Sequence, residues 1–119
     1  MERILVIDDD AQVRGFVEEA LRRAGYEVVC TENGIRGLQA FKEKPFDLVI
    51  TDLFMPEKEG CETIMELRRH ARDVKIIAIS GGYRQADCLP IAKQLGARVT
   101  LQKPVPTKEL LAAVREVLK

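Results

Sequence analysis

Short runs of β-branched and aliphatic residues alternate with helical patterns along the whole chain. The five runs lie at residues 4–7, 27–30, 47–51, 75–80 and 98–101. The first of them, Ile4-Leu5-Val6-Ile7, is apolar without interruption, which fits a strand buried on both faces, as in a parallel sheet. Strand-then-helix alternation with right-handed crossovers predicts an α/β fold, a doubly wound five-stranded parallel sheet with helices on both faces.

Each predicted strand is followed by apolar residues at helical spacing. The five stripes are Val13, Phe16, Val17, Ala20, Leu21 and Ala24; Ile35, Leu38 and Phe41; Ile64, Met65 and Leu67; Leu89, Ala92 and Leu95; and Leu110, Leu111, Val114, Val117 and Leu118. Gly25 is placed to end the first helix, and Thr107 is predicted to cap the last one. Because no linker or repeat interrupts the pattern, we expect one domain over residues 1–119.

Polar residues follow four of the five predicted strands. In an open parallel sheet, ligands bind beyond the carboxyl ends of the strands, so these residues are the candidates for function. They are Asp8, Asp9 and Asp10 after the first strand, Asp52 after the third, Ser80 with Gly81 after the fourth, and Lys103 after the fifth. The sequence therefore predicts several carboxylates, one hydroxyl and one ammonium group at a single edge of the sheet.

Each of these residues alone has a plain structural explanation. An aspartate after a strand often caps the next helix, as Asp10 is placed to do, Ser80 fits a turn, and Lys103 fits an exposed surface. Together they are harder to explain, because two carboxylates at 4 Å repel each other by about 1 to 4 kcal/mol near a surface. A bound cation relieves that repulsion. Carboxylate oxygens favour Mg²⁺, and the absence of a nearby His or Cys in sequence argues against zinc.

Composition excludes several classes of function. With 19 basic and 19 acidic residues the chain has no net charge, and it contains no Trp, so general nucleic-acid binding is not expected. No apolar run is long enough to span a membrane, and no signal peptide is evident.

Three widely spaced cysteines, at positions 30, 61 and 88, fit reduced thiols in a cytoplasmic protein. The single histidine, His70, lies in a basic helix end and fits a complement to the helix dipole.

Four motifs in order resemble the receiver domain of bacterial two-component response regulators, of the chemotaxis-regulator type, across essentially the whole chain. Residues 4–10 are similar to its first strand and acidic pair. Asp52-Leu53-Phe54-Met55-Pro56 with Gly60 is similar to its phosphoacceptor loop. Ser80-Gly81 and Lys103-Pro104 are similar to its hydroxyl position and its lysine with a cis-proline. The resemblance implies a flavodoxin-like fold with strand order 2-1-3-4-5.

The resemblance also implies a role for each residue. Asp52 would accept a phosphoryl group from a sensor histidine kinase, a phosphotransfer protein or a small phosphodonor. Metal ligation would fall to Asp8, Asp9, Asp52 and the backbone carbonyl of Phe54, with Mg²⁺ as the cofactor. Lys103, Ser80 and Gly81 would bind the phosphoryl group. The domain would then be a signalling module and not a conventional enzyme, with Mg²⁺-dependent self-phosphorylation and slow self-dephosphorylation.

The sequence departs from the family pattern at the residues that transmit the signal. Thr100 stands where an aromatic residue is usual, and Val105 stands where Phe is frequent. We therefore expect the glycine-rich segment 81–90 to carry much of the conformational change. Phe54 and Gly82, which flank the site, favour opposite phosphoryl lifetimes, so no lifetime is predicted.

Other functions are open at this point. A phosphatase of the haloacid dehalogenase type shares the strand-end aspartate, but Gln12 stands where that family has Thr or Val. A flavin-binding domain is disfavoured because carboxylates would repel the cofactor phosphate. The third alternative is a receiver-like module that binds a partner without phosphorylation. As a receiver, the chain is expected to act on a downstream protein or a missing output domain, without direct nucleic-acid or membrane binding, as a monomer or weak phosphorylation-dependent dimer.

Overall fold

A computed structural model describes residues 1–53, 60–81, 93–94 and 96–119, and shows one five-stranded parallel sheet. The strands are β1 (Arg3–Ile7), β2 (Glu27–Thr31), β3 (Leu48–Asp52), β4 (Lys75–Ser80) and β5 (Val99–Gln102). They are ordered β2-β1-β3-β4-β5, and every neighbouring pair is parallel. Both the predicted fold class and the predicted strand order are therefore confirmed. Three strands begin or end one residue later than the apolar runs indicated.

Four helices lie within the described residues, numbered here in chain order. They are α1 (Ala11–Arg23), α2 (Gly34–Glu43), α3 (Gly60–His70) and α4 (Thr107–Leu118). The helix predicted from Leu89, Ala92 and Leu95 falls outside the described residues, apart from the helical Lys93 and Gln94. Within the described part of the chain, every helix is too short or too polar to cross a membrane.

The sheet separates two apolar layers, which is why its central strands are apolar at every position. Ile4 and Val6 of β1 pack on one side, in a cluster that also contains Leu21 of α1 and Val114 of α4. Alternate residues of β1 face the other side, where Ile64 and Leu67 of α3 join the cluster. Because both faces are covered, the polar ends of the strands are the accessible part of the sheet.

Two helical details differ from the sequence predictions. Phe16, Ile35 and Met65 are expected in buried stripes, yet each is more than two-fifths exposed. Phe16 and Ile35 lie at the edge of the buried face of their helices, whereas Met65 lies on the outer face of α3, away from buried Ile64 and Leu67. Thr107 does not cap the last helix: it is the first residue of α4, Pro106 takes the N-cap position, and no side chain bonds the free N–H groups there. Proline is favoured near helix starts because its fixed φ suits that geometry.

Two glycines shape the connections around the first two strands. Gly25 follows α1 with φ of 97°, a conformation that favours glycine, and it ends the helix as predicted. Gly37 allows α2 to approach the sheet closely, because a Cβ atom there would lie 2.8 Å from Cγ1 of Ile7 and 3.3 Å from Oγ1 of Thr31. This glycine therefore serves packing, although it lowers the intrinsic stability of the helix.

Candidate functional site

Three aspartates meet where β1 and β3 end. Asp8 directly follows β1 and Asp52 is the last residue of β3, and these two neighbouring strands pair up to Ile7 and Thr51. One carboxylate oxygen from each of Asp8, Asp9 and Asp52 lies within 4.8 Å of the others. Asp8 and Asp52 are only 2% and 3% exposed, whereas Asp9 is exposed to solvent. The acidic edge predicted from the sequence therefore forms a compact cluster that solvent reaches from the side of Asp9.

Lys103 is the cation of this cluster. Its Nζ lies 2.9 Å from Oδ2 of Asp8 and 3.4 Å from Oδ2 of Asp52. The backbone N–H of Lys103 donates to the carbonyl of Ser80 at 2.7 Å, and the Lys103-Pro104 peptide bond is cis, as the resemblance implied. Burial opposes the charged ammonium, but the hydrogen bond to Asp8 and the charges of both aspartates outweigh it, so the pKa of Lys103 lies above its ordinary value.

Ser80 brings a hydroxyl group to the same edge. It is the last residue of β4, which pairs with β3, and its side chain is fully buried. Among the described residues its Oγ finds no hydrogen-bond partner. Buried hydroxyl groups are nearly always satisfied in folded proteins, so this oxygen is a candidate to bond a ligand. Gly81 follows directly and is half-buried.

The composition of the cluster fits a divalent cation. Counting only the described residues, three carboxylates against one ammonium leave an excess of two negative charges within a small volume. Hard oxygen ligands and an open, hydrated side are what Mg²⁺ requires, because it keeps several of its waters. Among the described residues the candidate ligands are Asp8, Asp9 and Asp52. Phe54, whose carbonyl was expected to be a further ligand, lies outside the described residues, and so does Gly82.

Asp10 is separate from the cluster and caps the first helix, as its position in sequence indicated. Its Oδ1 accepts hydrogen bonds from the backbone N–H groups of Gln12 at 2.9 Å and Val13 at 3.4 Å. The sequence reading missed Arg14, whose Nη1 donates to the backbone carbonyl of Asp8 at 2.7 Å. The one sequence feature that could have indicated this contact is the position of Arg14, one turn into the helix that follows the acidic residues.

Residues away from the acidic edge fit structural roles. Thr100 pairs in register with Ala78 on β4, at the position where the resemblance led us to expect an aromatic residue.

His70 ends α3 beside Arg68 and Arg69, as predicted for a complement to the helix dipole. Cys30 is half-buried, and burial raises the pKa of its thiol to about 11, which keeps it protonated near neutral pH. The side chains of Cys61 and Cys88 lie outside the described residues.

Comparison with known proteins gives one consistent family. Residues 4–115 match the profile of the response regulator receiver domain. The response regulator receiver protein CpdR of Brucella abortus is 32% identical over 118 residues, which cover 99% of this chain and 98% of that protein. Chemotaxis protein CheY of Bacillus subtilis is 33% identical over 117 residues, which cover 98% of this chain and 97% of that protein.

Solved structures agree with the sequence relatives. A response regulator receiver domain protein from Clostridium thermocellum superposes with a TM-score of 0.93 at 29% identity, covering 99% of this chain and 94% of that one. Longer relatives also match. A protein described as "Probable transcriptional regulator ycf27" from Porphyridium aerugineum is 38% identical over 118 residues, but the match covers 48% of its length. The chain thus spans about half the length of relatives of this kind.

Proposed function

This chain belongs to the response regulator receiver domain family of two-component signalling, and we propose that Asp52 is its phosphoacceptor. The observation that carries the proposal is the surroundings of that carboxylate. Asp52 is almost fully buried at the end of β3, with the Lys103 ammonium 3.4 Å away and two further aspartates beside it. A carboxylate held in this way is poised to act as a nucleophile toward a phosphoryl group.

The proposed step is an in-line phosphoryl transfer. An Asp52 carboxylate oxygen forms a bond to phosphorus while the bond from phosphorus to the donor, a phosphohistidine nitrogen or an acyl oxygen, breaks. The donor keeps the electron pair of that bond: an acyl donor leaves as a carboxylate anion, and a phosphohistidine leaves as neutral imidazole after its ring takes a proton from solvent. Such transfers depend on positioning and charge stabilisation more than on covalent assistance from the protein.

The residues around Asp52 supply that stabilisation. The Lys103 ammonium is placed to pair with the phosphoryl oxygens once Asp52 is phosphorylated, because it already lies within reach of Asp52 and Asp8. The Ser80 hydroxyl, buried at the end of the neighbouring strand, would donate to a phosphoryl oxygen. Gly81 would leave room for the group. Preorganised donors of this kind lower the barrier because they need not reorganise during the reaction.

Asp8, Asp9 and Asp52 would hold Mg²⁺, with the Phe54 carbonyl as a further ligand. Bound there, the ion would neutralise the charge that the phosphoryl oxygens bring to an already acidic edge. Asp9 is the ligand most open to solvent, so it would be the first to meet the ion. The acidic cluster and the family support this assignment.

Receiver domains act between kinases and outputs, and we propose both kinds of partner here. The donor would be a sensor histidine kinase or a phosphotransfer protein. The recipient of the signal would be a downstream protein or an output domain. Residues 1–119 would act as one domain in the cytoplasm, as a monomer or a weak phosphorylation-dependent dimer. Slow hydrolysis of the Asp52 acyl phosphate would end the signal. Relatives twice as long as this chain are consistent with an output domain.

Incubation with Mg²⁺ and acetyl phosphate tests the proposal, with intact mass as the measurement. We expect the addition of one phosphoryl group to the unchanged protein and none to Asp52→Asn. Asp73→Asn, an exposed aspartate outside the acidic cluster, is the matched control and should be modified as fully as the unchanged protein. A folded protein that stays unmodified would refute the proposal, as would equal modification of Asp52→Asn. Repeated turnover of a phosphomonoester would instead indicate a phosphatase.

A further inference from the structure

Asp9 differs from the other two aspartates of the cluster in how it is held. Asp8 and Asp52 are buried and lie against Lys103, whereas Asp9 is exposed. Within the described part of the chain, no group donates a hydrogen bond to the Asp9 carboxylate. Its position relative to the other two carboxylates therefore depends on the backbone that carries it.

Both peptide groups that flank Asp9 are fixed by hydrogen bonds. The carbonyl of Asp8, in the peptide before Asp9, accepts a hydrogen bond from Nη1 of Arg14 at 2.7 Å. The N–H of Asp10, in the peptide after Asp9, donates to Oδ1 of Asp8 at 2.9 Å. One flank is thus held by a carboxylate of the cluster itself, and the other by a guanidinium group that is not part of the cluster.

Arg14 is itself firmly supported. It lies in the first turn of α1, where its backbone N–H donates to the carbonyl of Asp10 at 3.0 Å, and Asp10 caps the same turn. Its side chain is half-buried. A planar guanidinium held at a short distance on a capped helix fixes the direction of the carbonyl that it binds.

We propose that Arg14 is a positioning residue for the metal site, acting through the Asp8–Asp9 peptide to aim the Asp9 carboxylate; the inference rests on the function proposed above. Electrostatics alone predicts the opposite effect. Arg14 carries a positive charge beside a cation site, so its removal should tighten Mg²⁺ binding if charge were its only contribution. A positioning role predicts weaker binding after removal. The sign of the change therefore separates the two.

The test is a Mg²⁺ titration of Arg14→Met followed by amide NMR shifts, in the full chain and without phosphodonor. Loss of a group that orients a metal ligand typically weakens binding about 10- to 100-fold, and we expect an effect near the lower end, about tenfold. Amide hydrogen exchange at Asp9 and Asp10 should also speed up. At saturating Mg²⁺, phosphorylation by acetyl phosphate should regain the rate of the unchanged protein.

Arg22→Met is the matched control. Arg22 lies two turns further along α1 and also donates to a backbone carbonyl, that of Val28, at 3.1 Å. Its loss should leave Mg²⁺ affinity unchanged. Arg14→Gln, which is also neutral and is shorter, carries the same expectation if the methionine variant does not fold. Unchanged or tighter Mg²⁺ binding in the folded Arg14 variant would overturn the inference.

The two proposals fail in different ways. The metal site of the proposed function fails if the unchanged protein does not bind Mg²⁺, or if the Asp9→Asn variant binds Mg²⁺ with the same affinity as the unchanged protein. The inference about Arg14 then fails with it. If the unchanged protein binds Mg²⁺ and Asp9→Asn does not, the site stands. In that case the Arg14 variant alone decides whether the arginine positions it.

Discussion

At the scale of single residues, Lys103 holds two buried carboxylates at once. Its ammonium lies near Asp8 and Asp52, both almost without solvent contact, while its own side chain is 21% exposed. Removing one partner from a buried ion pair is costly, because the other charges remain buried without compensation. The lysine therefore stabilises the fold, in addition to its proposed role of pairing with a phosphoryl group on Asp52.

We predict that Lys103→Met, without divalent cations, lowers the free energy of unfolding by about 2 kcal/mol, less than for a fully buried pair because Lys103 reaches solvent. Urea unfolding in EDTA measures this loss. In Asp52→Asn, the same lysine substitution should cost about 1 kcal/mol less, because one of the buried charges is already gone. Equal costs in the two backgrounds would contradict the proposed coupling between Lys103 and Asp52.

Arg3 ties together the opposite edge of the sheet. Its Nε donates to Glu27, and its Nη1 donates to the carbonyl of Pro45 at 2.7 Å. The guanidinium carbon lies 4.2 Å from the centre of the Phe46 ring, a cation–π contact. The hydrogen bond from Arg3 holds the pKa of Glu27 below its ordinary value of 4.5.

Glu27 should therefore stabilise the fold in a pH-dependent way. Since its pKa is lowered on folding, its contribution is present above pH 4.5 and is lost as pH falls through the folded-state value. We expect the unchanged protein to be more stable than Glu27→Gln at neutral pH, and the difference to shrink in acid. Urea midpoints measured from pH 7 downward test this. A difference that stays constant into the acid range would rule out the predicted linkage.

At the scale of elements, two helical glycines make a matched pair. Both are in helix interiors, where alanine is normally more stable by about 0.8 to 1.0 kcal/mol. A Cβ atom on Gly15 of α1 would meet no atom within 4 Å, whereas one on Gly37 of α2 would press on Ile7 and Thr31. Helix propensity alone predicts stabilisation at both positions, whereas the close contacts predict destabilisation at Gly37.

We predict that Gly15→Ala raises the free energy of unfolding by about 0.5 to 1 kcal/mol, through helix propensity alone. Gly37→Ala should lower it by about 1 to 3 kcal/mol, as overpacking in cores does. Chemical unfolding of the two variants, compared with the unchanged protein, gives both values. A stabilising Gly37→Ala would show that α2 can move away from β1 at little cost.

The elements also show which parts of the fold the sequence could predict. The apolar runs predict every strand end to within one residue, because runs buried on both faces leave a continuous signal. Helix faces were predicted less well: Phe16 sits in a helical stripe, yet the edge of that stripe reaches solvent. Thr107 is a residue type that often caps helices, but here the N-cap position falls one residue earlier, at Pro106. Composition near a helix start does not fix where the first turn begins.

At the scale of the whole molecule, the topology assembles the site. Parallel strands point their carboxyl ends to one edge, so Asp8 and Asp52 become neighbours although they are far apart in sequence. That convergence could be predicted from the strand pattern alone. The contacts of Arg3 and Arg14 could not, because a long flexible side chain reaches many carbonyls and only the folded backbone selects one.

A site formed only in the folded chain couples metal binding to global stability. A ligand that binds only the folded state adds RT ln(1 + [L]/Kd) to the free energy of unfolding, about 1.4 kcal/mol at ten times the dissociation constant. We therefore predict that Mg²⁺ raises the urea midpoint of the unchanged protein and leaves that of Asp9→Asn nearly unchanged. Sodium chloride at equal ionic strength is the control, because it screens the repulsion between the three carboxylates without occupying the site. If sodium chloride stabilises the protein as much as Mg²⁺ does, the acidic cluster is simply a repulsive edge that any salt relieves. A stabilisation specific to Mg²⁺ and dependent on Asp9 requires instead that the strand ends form an ion site only once the whole sheet has assembled.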